Sequence, residues 1–142
     1  MNLRGRAPRT FFDTNVLVYT DDPRYESKRI TSIGLVQAHL RSRTGVVSLQ
    51  VLQEYFVAAT GKLKLDSELA RRRVEIFAKL QIAELIVADI LAAIDLHRLH
   101  GFSLWDALIL RCAMQSGCSV LLTEDMQHGR VIDGVKIVNP FL

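Results

Sequence analysis

The chain has 142 residues, 49% of them hydrophobic and 23% charged, which fits one compact domain and excludes a disordered or collagenous chain. Its two cysteines, Cys112 and Cys118, are too few for a disulfide framework and form no CxxC pair, which predicts a reducing, cytoplasmic setting. A net charge of +3 invites a nucleic-acid interpretation, but arginines 4, 6 and 9 account for all of it, so the body of the domain is neutral.

The N-terminal segment is predicted to be a flexible basic arm. Residues 1–9 combine arginines with a glycine and a proline and show no apolar period, so we expect the domain proper to span residues 10–142. No apolar segment follows the arginines, as a secretion signal would require. The most apolar later stretch, residues 81–96, is interrupted by three acidic residues, so no membrane association is predicted.

The first half of the chain predicts two strands and three helices. Ile30, Ile33 and Leu40 recur at helical spacing, and Ser48 is a plausible N-cap for the helix that follows it. The Asp21-Asp22-Pro23 run separates the first two helices. In chain order, the predicted segments are strand 10–12, short helix 16–19, helix 26–43, strand 46–47 and helix 49–61.

The second half continues the alternation of helices and strands. Asp66 or Ser67 is expected to cap a helix with a solvated arginine face at residues 71–73, and Asp89 is expected to cap a later one. The predicted segments are helix 67–80, strand 82–87, helix 90–100, helix 104–115, strand 119–122 and strand 135–138. Such alternation predicts a three-layer α/β/α sandwich with a central, mainly parallel sheet.

Four acidic residues stand in apolar surroundings, where an ionised carboxylate is costly unless it is compensated. Asp13 follows the first strand, and Asp125 follows the strand 119–122. Glu54 lies in a helix among apolar neighbours. Asp106 lies in a helix that is apolar nearly all round and is therefore expected to be buried.

Each of these acids also has an ordinary structural explanation. Asp13 and Asp125 could be turn residues, Glu54 could be solvated, and Asp106 could complete a capping box with Ser103. Taken together they favour a site, because strand ends and helix starts meet at one edge of a parallel sheet. Four carboxylates there would repel one another but would suit Mg²⁺ or Mn²⁺. A metal so held would suit phosphodiester hydrolysis.

The ordered set of motifs resembles the PIN-domain ribonucleases, and within them the VapC-type toxins of bacterial toxin-antitoxin pairs. It consists of Phe11-Phe12-Asp13-Thr14-Asn15-Val16-Leu17-Val18-Tyr19, Glu54, Trp105-Asp106-Ala107-Leu108-Ile109, Leu121-Leu122-Thr123-Glu124-Asp125 and Val138-Asn139-Pro140-Phe141. The resemblance covers residues 10–142. The arm is a departure, because family members commonly reach the first strand within a few residues.

The resemblance implies a Mg²⁺- or Mn²⁺-dependent endoribonuclease. Its acidic cluster and metal ligands would be Asp13, Glu54, Asp106 and Asp125. Asn15 and Thr123 match positions that support the cluster by hydrogen bonding, although each is as readily explained as a turn or strand-end residue. The resemblance also implies an RNA substrate, a homodimer and a small antitoxin protein that blocks the site.

Two rivals keep the fold and change the function. The first is a catalytically silent RNA- or protein-binding scaffold with a vestigial acidic pocket, against which the presence of all four acids argues. The second is a nuclease that acts on DNA. The neutral body gives no basis for choosing among RNA classes.

Overall fold

The computed structural model describes residues 8–142 and folds them into strands that alternate with helices. The strands are β1 (Arg9–Phe12), β2 (Gly45–Ser48), β3 (Gln81–Ala83), β4 (Cys118–Leu122), β5 (Val131–Ile132) and β6 (Val135–Val138). The helices are α1 (Thr14–Tyr19), α2 (Glu26–Ser42), α3 (Leu49–Gly61), α4 (Ser67–Phe77), α5 (Val87–His100) and α6 (Leu104–Gln115).

The strands form one sheet in the order β3-β2-β1-β4-β6-β5. All neighbours are parallel except β5 and β6, which form an antiparallel pair. The chain moves outward from β1 to β2 and β3, then crosses back to β4 on the other side of β1. Because such crossovers are right-handed, this reversal places α1 to α4 on one face of the sheet and α5 with α6 on the other. The predicted three-layer α/β/α fold is confirmed.

The reversal of strand order also locates a crevice. Open α/β sheets bind ligands beyond the carboxyl ends of the two strands where the order reverses, which here are β1 and β4. Phe12 pairs with Leu122 at the last position of these strands. Residues 13 and 123 onward therefore lie side by side at the edge of the sheet.

The central strands are buried on both faces, as a parallel sheet between two helix layers requires. Phe11, Val46, Val47, Leu121 and Ile137 have no solvent-accessible surface. These side chains fix the register of the strands, since a shift by one residue would exchange the two faces. The core thus holds the ends of β1 and β4 rigidly at the crevice.

The strand predicted at residues 82–87 is wrong in its second half. β3 ends at Ala83, and α5 begins at Val87 with Ile86 at its N-cap. Asp89 is therefore not the cap residue: it lies inside the first turn, where its Oδ2 accepts a 3.0 Å hydrogen bond from the Ile86 backbone N–H. Its other oxygen binds Arg111. The apolar residues that favoured a strand belong to a helix start with an exposed apolar side.

The arginine run of α4 is only partly the solvated face that we expected. Arg71 and Arg72 are exposed and form ion pairs along the helix with Glu75 and Glu68. Arg73 instead reaches Asp21, whose side chain is 6% exposed, with a distance of 2.9 Å from Nε to Oδ1. The third arginine thus fastens α4 to the loop after α1.

The N-terminal boundary and one further strand also differ from expectation. β1 begins at Arg9, one residue before the predicted strand, and the Arg9 guanidinium donates a hydrogen bond to Gln81. The rest of the predicted arm, apart from the exposed Pro8, lies outside the described residues. β5 was not predicted. None of the helices in residues 8–142 has the length and apolar composition of a membrane span.

Candidate functional site

Asp13 is a buried acid of the site, and hydrogen bonds hold both of its carboxylate oxygens. It follows β1 and is the N-cap of α1, where its Oδ1 accepts a 2.7 Å hydrogen bond from the Thr14 backbone N–H. Its Oδ2 accepts a 2.8 Å hydrogen bond from Oγ1 of Thr123. The residue is 6% exposed, so burial and these bonds hold the carboxylate in one orientation at the crevice.

Asn15 joins the ends of β1 and β4. Its Nδ2 lies 3.0 Å from Oδ2 of Asp125, 3.3 Å from Oγ1 of Thr123 and 3.4 Å from Oδ2 of Asp13. Its Oδ1 accepts a 3.3 Å hydrogen bond from the Glu124 backbone N–H. Asp125 is exposed, and its backbone N–H donates to Oγ1 of Thr123 at 3.1 Å. The structure thus brings together the two acids expected at the strand ends and the two polar residues, Asn15 and Thr123, that the family resemblance implied.

Glu54 reaches the same site from α3. It is exposed, and its Oε1 accepts a 2.8 Å hydrogen bond from Oγ1 of Thr14, the residue after Asp13. Gln50, one turn earlier on α3, lies 3.5 Å from the same oxygen. Glu54 is therefore solvated and also held toward the crevice. Thr14 was not singled out from the sequence as a site residue. The one signal available there was a hydroxyl group next to a candidate acid.

Asp106 lies in the first turn of α6. Ser103 caps this helix, because its Oγ accepts a 3.1 Å hydrogen bond from the Asp106 backbone N–H. The reciprocal bond of a capping box, from the Ser103 backbone to the Asp106 carboxylate, is not among the hydrogen bonds of the described residues. The helix is also less buried here than predicted, since Asp106 is half-buried and Trp105 is 63% exposed. The observed cap of α6 is thus the Ser103 hydroxyl rather than the Asp106 carboxylate.

The four acids form an electrostatic cluster. Burial raises the pKa of Asp13 to about 6, with further increases from Asp125 and Asp106, against the hydrogen bonds from Thr123 and Thr14 that lower it. The pKa of Asp106 is raised by burial and by the charges of Asp125 and Glu54. Within residues 8–142, no lysine, arginine or histidine forms an ion pair with any of the four.

The donors at the crevice are carboxylate oxygens, the ligands that Mg²⁺ and Mn²⁺ prefer. Burial and neighbouring carboxylates raise the pKa values of Asp13 and Asp106, and a bound cation would stabilise their charged forms. The side chains do not yet surround an ion: among the described residues, no three acidic, histidine or cysteine side chains are arranged to hold one. The residues fit such a metal by chemistry and by location.

Tyr19, Lys28 and Glu124 also border the site and were not identified from the sequence. Tyr19 donates a 2.6 Å hydrogen bond to Oε1 of Glu124, the residue before Asp125. Lys28 forms a 2.9 Å ion pair with Oε2 of the same side chain. Tyr19 lies four residues after Asn15, so the two share one face of α1, and that spacing was the available signal.

The comparisons with known proteins agree with this geometry. The family model of the PIN domain matches residues 10–133. The match contains all four acids, together with Asn15 and Thr123. Among curated proteins, none matches the chain. PIN domains have a nuclease-type fold and generally act on nucleic acids. With a match over most of its length and an acidic cluster at the expected edge of the sheet, the chain belongs to the PIN domain family.

Proposed function

We propose that the chain is a Mg²⁺- or Mn²⁺-dependent endoribonuclease that hydrolyses RNA phosphodiester bonds, and that it is the toxin of a toxin-antitoxin pair. Its metal ligands would be Asp13, Glu54, Asp106 and Asp125. The observation that supports the proposal is the position of these acids around the β1–β4 crevice, where no lysine, arginine or histidine of residues 8–142 forms an ion pair with any of them. RNA is itself a polyanion, so a cation is needed between it and these carboxylates.

Each residue has a role that follows from its contacts. When bound, the divalent ion activates water and neutralises charge on the scissile phosphate. Asp13 offers an oxygen held in place by Thr123 and by the start of α1. Asn15 orients Asp125 by a hydrogen bond, and Thr14 orients Glu54 in the same way. Asp106 brings a half-buried carboxylate from the opposite helix layer.

The test is cleavage of a labelled single-stranded or looped RNA by the purified protein. We expect internal cuts with Mg²⁺ or Mn²⁺, no cuts in EDTA, and recovery when the metal is returned. The Asp125→Asn variant should be inactive in the same preparation, which excludes a contaminating nuclease. Cleavage that continues undiminished in chelator would reject the metal, and a matched DNA strand distinguishes RNA from DNA as substrate.

One observation favours a second candidate, a silent scaffold that binds RNA or protein. As the side chains stand, no three of the described acids already surround an ion position. A scaffold would retain its acidic crevice yet leave RNA intact at saturating metal. The cleavage assay separates the two candidates directly.

An apolar groove supports the proposal of an antitoxin as a partner. Helices α3 and α4 border an apolar groove of about 500 Å³ whose lining includes Leu52, Phe56 and Val74. Val57 on its wall is 70% exposed. The groove lies on the same helix as Glu54, so a short apolar helix there could extend an arginine or lysine to the acids and replace the charge of the metal.

We also propose that the protein is a homodimer. The side chains of Val87, Ile90, Leu91 and Ile94 follow one face of α5 and are 71%, 43%, 58% and 36% exposed. Exposed Ile86 precedes them. The opposite side of α5 is packed on α6 through Ala93 and Leu96, which leaves this apolar face for a second copy.

The proposed location is the cytoplasm. Both cysteines are buried and free, and burial raises the pKa of the Cys112 thiol to about 12. A thiol so protonated is a poor nucleophile and behaves as a small apolar side chain. RNA and a protein antitoxin are both available in that compartment.

A further inference from the structure

The segment after β4 is held on its inner side by the residues already described. Thr123 donates its backbone N–H to Val138 on β6 at 3.0 Å and its hydroxyl to Asp13. Asp125, two residues later, is exposed, and its carboxylate is bound by Asn15 alone among the described residues. Its backbone N–H donates to Oγ1 of Thr123, so the position of Asp125 depends on both preceding residues, Thr123 and Glu124.

Glu124 is held from the outer side by two elements. Tyr19, at the end of α1, donates to Oε1 at 2.6 Å, and Lys28, on α2, binds Oε2 at 2.9 Å. Lys28 also lies 3.2 Å from the Tyr19 hydroxyl. Both carboxylate oxygens of Glu124 thus have a partner.

The lysine that completes this contact is enclosed by aromatic rings. Its Nζ lies 4.8 Å from the ring centroid of Tyr19, 5.4 Å from that of Tyr25 and 5.5 Å from that of Phe141. Phe141 packs edge-on against Tyr19 at 5.0 Å, and its backbone N–H donates to Asn139 at 2.9 Å. These contacts limit the freedom of a long side chain, which makes the ion pair stronger than an exposed one.

We propose that Tyr19, Lys28 and Phe141 form a clamp on Glu124 that fixes Asp125 at the metal site, with Lys28 as its central positioning residue. The inference rests on the proposed function. It also gives a role to the C-terminal Asn139-Pro140-Phe141 motif, which closes the aromatic enclosure. A second consequence is electrostatic, because Lys28 neutralises a carboxylate that would otherwise add a fifth charge beside four repelling ones.

Lys28→Met tests the clamp, because methionine keeps an apolar side chain of similar length beside the rings and removes the charge, and with it the ion pair and the cation–π contacts. The matched control is Arg29→Met, on the next residue of α2, whose ion pair with Glu26 is local to the helix. Lys28→Arg restores a charged donor. Three quantities are measured: the Mn²⁺ dissociation constant by electron paramagnetic resonance, the amide hydrogen exchange of residues 124 and 125 without metal, and the RNA cleavage rate.

We expect Lys28→Met to weaken Mn²⁺ binding roughly tenfold or more, as loss of a group that orients metal ligands does. Amide exchange at residues 124 and 125 should accelerate, and cleavage should fall with the metal affinity. Arg29→Met should match the parent, and Lys28→Arg should recover most of the affinity. If Lys28→Met fails to fold, Tyr19→Phe removes only the hydroxyl and should show the same changes at smaller size.

The outcomes separate this inference from the proposed function. A parent protein that binds Mn²⁺ and cuts RNA, with Lys28→Met or Tyr19→Phe equal to it in affinity and exchange, overturns the clamp alone. A parent that does neither overturns the proposed function and the inference with it. Equal losses in Lys28→Met and Arg29→Met would also overturn the clamp, because they would show a general effect of charge on α2.

Discussion

Thr123 and Asp13 lie 110 residues apart in the chain and are joined by a 2.8 Å hydrogen bond from Oγ1 of Thr123 to Oδ2 of Asp13. The bond links the ends of β1 and β4, the two strands between which the strand order reverses. One hydroxyl thus contacts both neighbouring acids, because it also accepts the backbone N–H of Asp125. The acids converge through these bonds as well as through the sheet.

Thr123→Val should damage both stability and activity. Valine keeps the shape of threonine but leaves an oxygen of the buried Asp13 without its main partner. We expect the free energy of unfolding to fall by about 1 to 3 kcal/mol and RNA cleavage to fall by roughly 10-fold to 100-fold. Thr20→Val, which removes a hydroxyl bonded only locally near the end of α1, is the control. Equal effects of the two substitutions on cleavage would contradict the role of Thr123.

Asp106→Asn separates a metal ligand from a helix cap. The Ser103 hydroxyl forms the observed cap, so Ser103→Ala should cost about 1 kcal/mol of stability and leave cleavage intact. Asp106→Asn should instead reduce cleavage by a factor on the order of a hundred or more. Its melting temperature in EDTA should equal or exceed that of the parent, since one repelling charge is gone.

Added Mg²⁺ should raise the melting temperature of the parent more than that of Asp106→Asn, because stabilisation by a ligand follows its affinity. Thermal denaturation with and without Mg²⁺ gives this comparison. A destabilised Asp106→Asn that still cuts RNA and still responds fully to Mg²⁺ would remove Asp106 from the site.

Asp13 should make the metal-free protein less stable as the pH rises from about 4 to about 6. Burial raises the pKa of Asp13 from 3.8 to about 6, so in this range the folded chain retains a proton that the unfolded chain releases. This stabilisation is fully present below the unfolded-state pKa of 3.8 and is lost as the pH rises through the folded-state pKa of about 6. The difference between the two pKa values corresponds to a change of about 3 kcal/mol in the free energy of unfolding.

Urea denaturation across this pH range in EDTA measures the effect. Asp13→Asn should flatten the profile, since asparagine does not titrate there and still caps a helix. If the stability of the parent relative to Asp13→Asn rises between pH 4 and pH 6, the sign assigned to the burial of Asp13 is contradicted.

A charge placed in the α3–α4 groove should release the antitoxin without disabling the nuclease. Val57 is 70% exposed on the groove wall, so Val57→Glu should fold normally. Co-expression with the adjacent small open reading frame, followed by pull-down, should recover a complex for the parent. The same experiment with Val57→Glu should recover no complex. Val131→Glu, on the exposed side of β5, is the control. A complex that survives Val57→Glu places the antitoxin elsewhere.

A charge on α5 should break the proposed dimer. Leu91 is 58% exposed in the middle of the apolar face, and Leu91→Glu would bury a carboxylate in the contact. Light scattering after size exclusion should give a dimer mass for the parent and a monomer mass for Leu91→Glu. Val57→Glu should remain dimeric. A parent that is monomeric at micromolar concentration contradicts the assignment of this face.

The fold was largely predictable because strands and helices alternate along the sequence. The errors in the predicted elements have identifiable causes. Ile86 and Val87 suggest a strand by composition, yet they are 68% and 71% exposed and begin a helix whose apolar side faces outward. β5 is only two residues long, although Asp133-Gly134 carries the signal for a tight turn, with φ of 47° and 83°. Outward apolar faces and very short strands are weak signals in a single sequence.

The site was predictable where it depends on strand ends and much less so where it depends on distant contacts. Asp13 and Asp125 follow strands, so their proximity could be inferred from a parallel sheet. The contact of Thr14 with Glu54 spans 40 residues, and that of Lys28 with Glu124 spans 96. No local pattern encodes such pairs, because they arise from the packing of α1, α2 and α3 on the finished sheet.

The most direct test of the central claim is a crystal of the protein soaked in Mn²⁺, with diffraction recorded at the manganese edge. The account predicts an anomalous peak beyond the ends of β1 and β4, within about 2.3 Å of carboxylate oxygens that include Asp13 and Asp106. The peak should be absent from Asp106→Asn crystals treated in the same way. Saturating Mn²⁺ with no peak at the crevice, in a protein that still cuts RNA, would contradict a metal site built from these four carboxylates.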